Sequence, residues 1–205
     1  MPVHNNNNIS PFLLILLSSL LLLGLLFVSS ASTETALANF GSPLYYFMRH
    51  SIYLSISLVA ALIVMLLPIK LWYQASSWLL LIAIILLIAV LLPGVGKTVN
   101  GSSRWINLIF FQFQASELAR LFLVIYIGAY LFRHEHQVRQ GWKFLLQPTL
   151  ILSIACLLLL QEPDFGSCIL LISTIMTMFF MAGMRIRECA IVIGIVIITG
   201  VCLAI

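Results

Sequence analysis

The stretch PFLLILLSSLLLLGLLFVSS, residues 11–30, has no charged side chain, and after its opening proline Gly24 is its single poor helix former. About 20 mainly apolar residues span the hydrocarbon of a bilayer as a helix. A run of this length and purity therefore reads as a membrane helix and not as the core of a water-soluble domain. The rest of the chain agrees. Its 205 residues are 62% hydrophobic and only 8% charged, and the mean hydropathy is +1.16. A soluble domain carries about a quarter charged residues. No basic segment precedes residue 11, so the first run is expected to stay as an anchor and not to be cleaved. Met1–Ser10, with its asparagine run, reads as a short tail.

Working outward, further apolar runs fall at about 50–67, 75–93, 116–132, 145–161, 166–184 and 188–205. With 11–30 they predict an all-α polytopic membrane protein of seven spans, forming a single domain over 1–205. The formal net charge of +4 is small and suits an uneven distribution of loop charge at a membrane. It does not suggest nucleic-acid binding. With the N-terminus inside, the cytoplasmic connections hold Lys70, Arg133, Arg139, Lys143, Arg185 and Arg187. The outer ones hold Arg49, Lys97 and Arg104. That bias predicts a cytoplasmic N-terminus and places the long connection 94–115 outside.

Several familiar patterns carry nothing. GVGKT at 94–98 lacks the first glycine of a phosphate loop, since Leu91 stands there. Asp164-Phe165-Gly166 matches a kinase triplet in letters alone. His134, Glu135 and His136 fit a solvated loop, and no metal site is assigned. Cys156, Cys168, Cys189 and Cys202 form no CxxC pair and read as small apolar packing residues.

Three features remain. In GSSRWINLIFFQFQASELAR (101–120), Trp105 suits the headgroup level. WINLIFFQF fits a short interfacial helix or re-entrant segment, and equally a loop folded on the bundle. Arg104 presents a fork suited to phosphate oxygens; a guanidinium facing headgroups is the alternative. Arg120 lies about one turn inside the fourth span. There, burying its charge is costly unless it snorkels or is paired. Glu117, three residues earlier, shares its helical face. The third feature is QEPDFG, where Glu162 and Asp164 flank the helix-stopping Pro163. Asp164 is placed to cap the following helix, and both acids are candidates to line an outer cavity.

VNGSSRWI, QASELARL and LLLQEPDFG, in this order, resemble the SEDS family of cell-wall proteins (shape, elongation, division and sporulation). The wording is nearer to its division branch. SPLYYFMRH and MAGMR also fit, and the similarity runs from about residue 11 to the end. The resemblance implies a fold of about ten spans, of which this chain holds seven and is truncated on its C-terminal side. It implies a glycosyltransferase that polymerises lipid II, a disaccharide-pentapeptide on undecaprenyl diphosphate, at the division septum of the bacterial inner membrane. Its partners would be a class B penicillin-binding protein and other divisome proteins. A flippase for lipid II and a non-catalytic scaffold are the alternatives. A divalent cation such as Mg2+ would suit the diphosphate.

By position, Arg104 matches the family's SRW arginine, and Ser116 and Glu117 its SE pair. Arg120 stands where lysine is usual. Asp164 and Gly166 match the acidic turn, with Glu162 before it. Ala115 replaces the usual proline. These residues are expected to bind substrate. The family's catalytic aspartate is expected beyond residue 205.

Overall fold

The computed structural model describes residues 11–92, 96–99, 102–107, 112–138 and 142–184, together with 191, 192 and 194. It forms two units, 1–67 and 68–205.

In the first unit, helix α1 spans Pro11–Phe40 and α2 spans Tyr45–Leu66. The sequence predicts an end to α1 near residue 30, but the helix continues through ASTETALANF. Alanine, leucine and glutamate favour helix. The hydroxyls also stay within it: Ser32 Oγ donates to the Val28 carbonyl at 2.6 Å, and Thr33 Oγ1 to that of Ser29 at 2.7 Å. Gly41 then reverses the chain at φ +68, a conformation that lacks steric cost only for glycine. Phe40 stacks on Tyr45 across the turn, with ring centroids 3.9 Å apart. The 30 residues of α1 make a helix about 45 Å long, against about 30 Å of hydrocarbon. Large apolar side chains cover its outside, Phe12 at 71% and Phe27 at 70% exposure among them. Such a surface is stable in lipid and would aggregate in water.

The second unit is built on α3 (Ile69–Leu91), α4 (Ala115–Arg133), α6 (Leu146–Gln161) and α7 (Phe165–Met181). A single turn, α5 (Glu135–Val138), and a 3-10 turn at Trp142–Leu145 connect α4 to α6. Helix α3 begins earlier than the expected residue 75, directly after Pro68, whose fixed φ suits a helix entry. Helix α4 packs against α3, α6 and α7. Its buried Ser116, Ala119, Leu123, Tyr126, Ile127 and Tyr130 recur every three or four residues, the spacing of one helical face. Between helices in lipid the driving force is close packing and not water exclusion, so small residues matter at the contacts. Ala83, Ala119 and Ala155 are fully buried there. At Gly128 an added Cβ would sit 3.2 Å from Met178 Cε. Cys156 and Cys168 lie in this same core, consistent with a packing role.

Among the described residues, α1 to α4 are long and apolar enough to cross a membrane, while α6 and α7 are shorter apolar helices. The expected seventh span, 188–205, lies outside the described residues except at 191, 192 and 194, which are helical.

The connection between α3 and α4 follows the second of its two expected readings, a segment folded against the helices. In place of an interfacial helix or re-entrant segment it forms a three-stranded antiparallel sheet. Strand β1 is Gly96–Val99, β2 is Ser102–Asn107 and β3 is Gln112–Gln114, in that spatial order. The physical reason is legible afterwards. Val99 pairs with Ser102, and the residues between are Asn100-Gly101, the dipeptide most favourable to a tight hairpin. FQFQ at 111–114 alternates apolar and polar side chains, the two-residue period of a strand.

Candidate functional site

The sheet leads directly into α4, because Gln114, the last residue of β3, is also the residue that precedes the helix. Three elements meet there: the β3–α4 junction, the first turns of α4, and the turn between α6 and α7.

That second turn is shaped by its own backbone. Helix α6 stops at Gln161. The amide of Glu162 donates to the Leu158 carbonyl at 3.3 Å and that of Asp164 to the Leu159 carbonyl at 2.9 Å. These bonds take up carbonyls that the helix end leaves open. Pro163 has no N–H to contribute and cannot continue the helix. Asp164 then starts α7 as its N-cap: its Oδ1 accepts from the Ser167 amide at 3.2 Å. The capping role expected from sequence is present.

Asp164 also reaches across the fold. Its Oδ2 accepts from Ser116 Oγ at 2.9 Å and from Gln114 Nε2 at 3.2 Å, across separations of 48 and 50 residues. Gln114 Nε2 donates to Ser116 Oγ as well, at 2.9 Å. Ser116 and Asp164 are 1% and 4% exposed. A buried carboxylate is costly unless donors surround it, and here both of its oxygens are occupied. Ser116 and Asp164 therefore face each other and brace the junction. Glu162 is fully buried beside them in sequence.

One turn into α4 the arrangement is open. Arg120 Nη2 donates to Glu117 Oε2 at 2.5 Å, the pairing expected from their spacing. The side chains are 25% and 53% exposed. Among the described residues, Nη1 of Arg120 is shielded from solvent and has no hydrogen-bond partner. The guanidinium keeps its charge under all ordinary conditions. It is thus a held cation with one donor nitrogen unspent.

Arg104 is in β2, adjacent to Trp105, which pairs with Gln114 of β3 and Lys97 of β1. Its side chain lies outside the described residues. The fold thus gathers Ser116, Glu117, Arg120, Glu162 and Asp164 at one end of the second unit and puts the backbone of residue 104 on the adjoining sheet. Sequence reasoning missed Gln114. Its signal was its place, a polar residue ending the alternating FQFQ run directly before ASELAR.

The described carboxylates do not form a cage for a divalent cation. No group of three His, Cys, Asp or Glu residues is found among the described residues, and Asp164 has spent both oxygens.

The profile of the FtsW/RodA/SpoVE family of cell cycle proteins matches residues 11–205. The chain belongs to this family. Its likeness to FtsW is marked. It is 44% identical over 168 residues to the probable peptidoglycan glycosyltransferase FtsW of Coxiella burnetii, covering 82% of this chain and 45% of the relative. With the protein of the same description from Halomonas elongata it shares 38% over 196 residues, or 95% of this chain and 49% of the relative. The chain therefore spans about half the length of the curated relatives it matches and corresponds to their N-terminal portion. Among solved structures, a chain of a peptidoglycan synthase complex that coordinates polymerisation with crosslinking superposes with a TM-score of 0.64. It is 27% identical, covering 82% of this chain and 49% of that one. The Thermus thermophilus rod-shape-determining protein RodA superposes at 0.62, over 85% of this chain and 58% of its own, at 23% identity. The SEDS fold is thus shared, and the chain is a multi-pass membrane protein of that family.

Proposed function

We propose that this polypeptide is the substrate-holding N-terminal part of an FtsW-like peptidoglycan glycosyltransferase, which joins lipid II units into glycan strands at the division septum. The observation that carries this reading is Arg120. It is an arginine pinned by Glu117 through one nitrogen, with its other terminal nitrogen shielded and unpartnered among the described residues. A cation held in a low-dielectric setting with a free donor is suited to an anionic oxygen. The diphosphate of lipid II supplies such oxygens. Arg104, one strand away, is the second cation assigned to it. Glu117 orients Arg120, while Ser116, Asp164 and Glu162 shape the wall beside it.

On this reading the sheet end faces the outer side of the inner membrane and the N-terminus is cytoplasmic. The transferred glycan moves from the lipid diphosphate, which departs as the leaving group. The diphosphate carries more negative charge once free than while esterified, so a cation beside it favours departure. The attacking hydroxyl belongs to the acceptor saccharide, and the catalytic carboxylate that would take its proton is assigned to the remainder of the protein. A divalent cation such as Mg2+ would arrive with the diphosphate. A class B penicillin-binding protein and other divisome proteins are the proposed partners, the former supplying crosslinking.

The test is lipid II polymerisation in proteoliposomes with the penicillin-binding partner, using this sequence extended to the length of its relatives. Arg120→Ala is expected to lower glycan synthesis at least tenfold and Arg120→Lys to retain most of it. Undiminished synthesis by Arg120→Ala would remove the assigned role. Movement of lipid II across the bilayer without glycan product would favour a flippase. Binding of the partner with neither activity would favour a scaffold.

A further inference from the structure

We propose that Gln114 is the positioning residue of this site: its side-chain amide fixes the sheet that carries residue 104 to the helix that carries Arg120. The proposal rests on the reading of Arg104 and Arg120 as a diphosphate-binding pair. Gln114 holds three positions at once. In β3 its backbone pairs with Trp105, the neighbour of Arg104. In the chain it is the last residue before α4. Through Nε2 it donates to Ser116 Oγ at 2.9 Å and Asp164 Oδ2 at 3.2 Å. Ser116 Oγ closes the triangle on the same carboxylate oxygen at 2.9 Å.

Each part of this triangle has one available polarity. An ionised carboxylate only accepts. The group that faces it from Gln114 must therefore be the amide nitrogen and not the amide oxygen. The serine hydroxyl has a single proton and gives it to Asp164, so it can only accept from Gln114. Asp164 in turn is fixed by its cap on Ser167. A chain of fixed polarity thus runs from the start of α7 through Asp164 to Gln114 and on to Trp105. Helix α4 offers no side-chain cap of its own at this junction, so the amide of Gln114 is what secures the strand against the helix. A separation of one side chain between two phosphate-binding cations decides whether both reach one diphosphate, and geometric tolerance at such sites is well under 1 Å.

Fixed polarity gives a specific test. Gln114→Glu sets a carboxylate against Asp164. Asp164→Asn, alone, turns a donor toward Gln114 and is met by a flip of the Gln114 amide, so the charged Gln114→Glu is the substitution that breaks the triangle. Combined, the two substitutions reverse the three bonds of the triangle and keep the net charge. The amide at 164 donates to the carboxylate at 114 and to Ser116 Oγ, the hydroxyl donates to 114, and the amide oxygen at 164 still caps Ser167.

The chain in nanodiscs is assayed twice: for amide hydrogen exchange over 102–107 and 112–114, and for binding of undecaprenyl diphosphate. Gln114→Glu is expected to speed exchange across both strands and weaken binding about tenfold, as for loss of a hydrogen bond to a charged group. The double variant is expected to recover both to within about threefold of the parent. Gln114→Met, which keeps length without donors or charge, should speed strand exchange while the helices remain protected. It serves if the charged variant does not fold. Unchanged strand exchange in Gln114→Met, or a double variant no better than Gln114→Glu, overturns the proposal. The expected exchange changes in the variants, but no binding of the lipid by the parent chain, would instead sink the diphosphate reading and leave the clamp standing.

Discussion

Asp164 and Arg120 are both charged groups at the same end of an apolar helical unit, and they are treated in opposite ways. The carboxylate is 4% exposed and accepts from a backbone amide, a hydroxyl and a side-chain amide. The guanidinium is a quarter exposed and has one carboxylate on one nitrogen. A charge with its bonding capacity filled from within the chain holds shape. A charge with capacity left over can take a ligand. The difference separates the bracing residues of the site from the ones proposed to bind, which residue type alone does not do.

The comparison breaks most severely at the closed end. Asp164→Ala removes the acceptor for three donors, the buried Ser116 hydroxyl, the Ser167 amide and the part-buried Gln114 amide, and strips the cap from α7. A lost cap costs about 1 kcal/mol, and each buried donor left unsatisfied about 1–3 kcal/mol. The cap and the buried Ser116 donor together give an expected loss of about 2–4 kcal/mol. Thermal unfolding in detergent would show it as a clear drop in midpoint, and hydrogen exchange would place the first opening at 165–168. An unchanged midpoint would mean that these bonds do not brace the unit.

Arg120→Ala should behave in the reverse manner. A partly exposed pair contributes about 0–1 kcal/mol, so the unfolding midpoint should shift little. Affinity for undecaprenyl diphosphate should fall about tenfold or more, since a charged hydrogen bond is lost. Loss of stability equal to that of Asp164→Ala, with binding intact, would reverse the roles assigned to the two residues.

Much of this fold was legible because lipid makes the rules strict. A spanning segment must satisfy its backbone internally, so long uncharged runs name themselves as helices, and α2, α4, α6 and α7 lie close to their expected positions. The ends were less legible. Helix α1 runs past residue 30 because Ser32 and Thr33 bond back to their own helix and do not break it. The Glu117–Arg120 pair and the Asp164 cap follow from local spacing, which is why sequence finds them. The bond from Asp164 to Ser116 and Gln114 crosses 48 and 50 residues, and no local period encodes it. The sheet was obscured by bulk apolarity: WINLIFFQF reads as interfacial on hydropathy, while its strand signals are the Asn100-Gly101 pair and the alternation of 111–114.

The finest test of the comparison is Glu117. If Arg120 is a held ligand cation, Glu117 serves it in two opposing ways. It fixes the guanidinium, which lowers the entropy lost on binding. It also competes, because its negative charge offsets part of the attraction for an anion. At 53% exposure both effects are screened by solvent, so Glu117→Gln should leave stability within about 0.5 kcal/mol. The amide oxygen can still accept from Arg120 while the charge is gone. Affinity for the diphosphate lipid should therefore rise slightly, by about two- to threefold, and more at low salt than at high salt, because exposed charges are screened within about 10 Å at 0.1 M. Glu117→Ala, which loses the tether as well, should bind more weakly than Glu117→Gln. Titrations of both variants at two salt concentrations separate tether from charge. If the two variants bind alike, Glu117 does not orient Arg120, and the open cation is placed by the backbone of α4 alone.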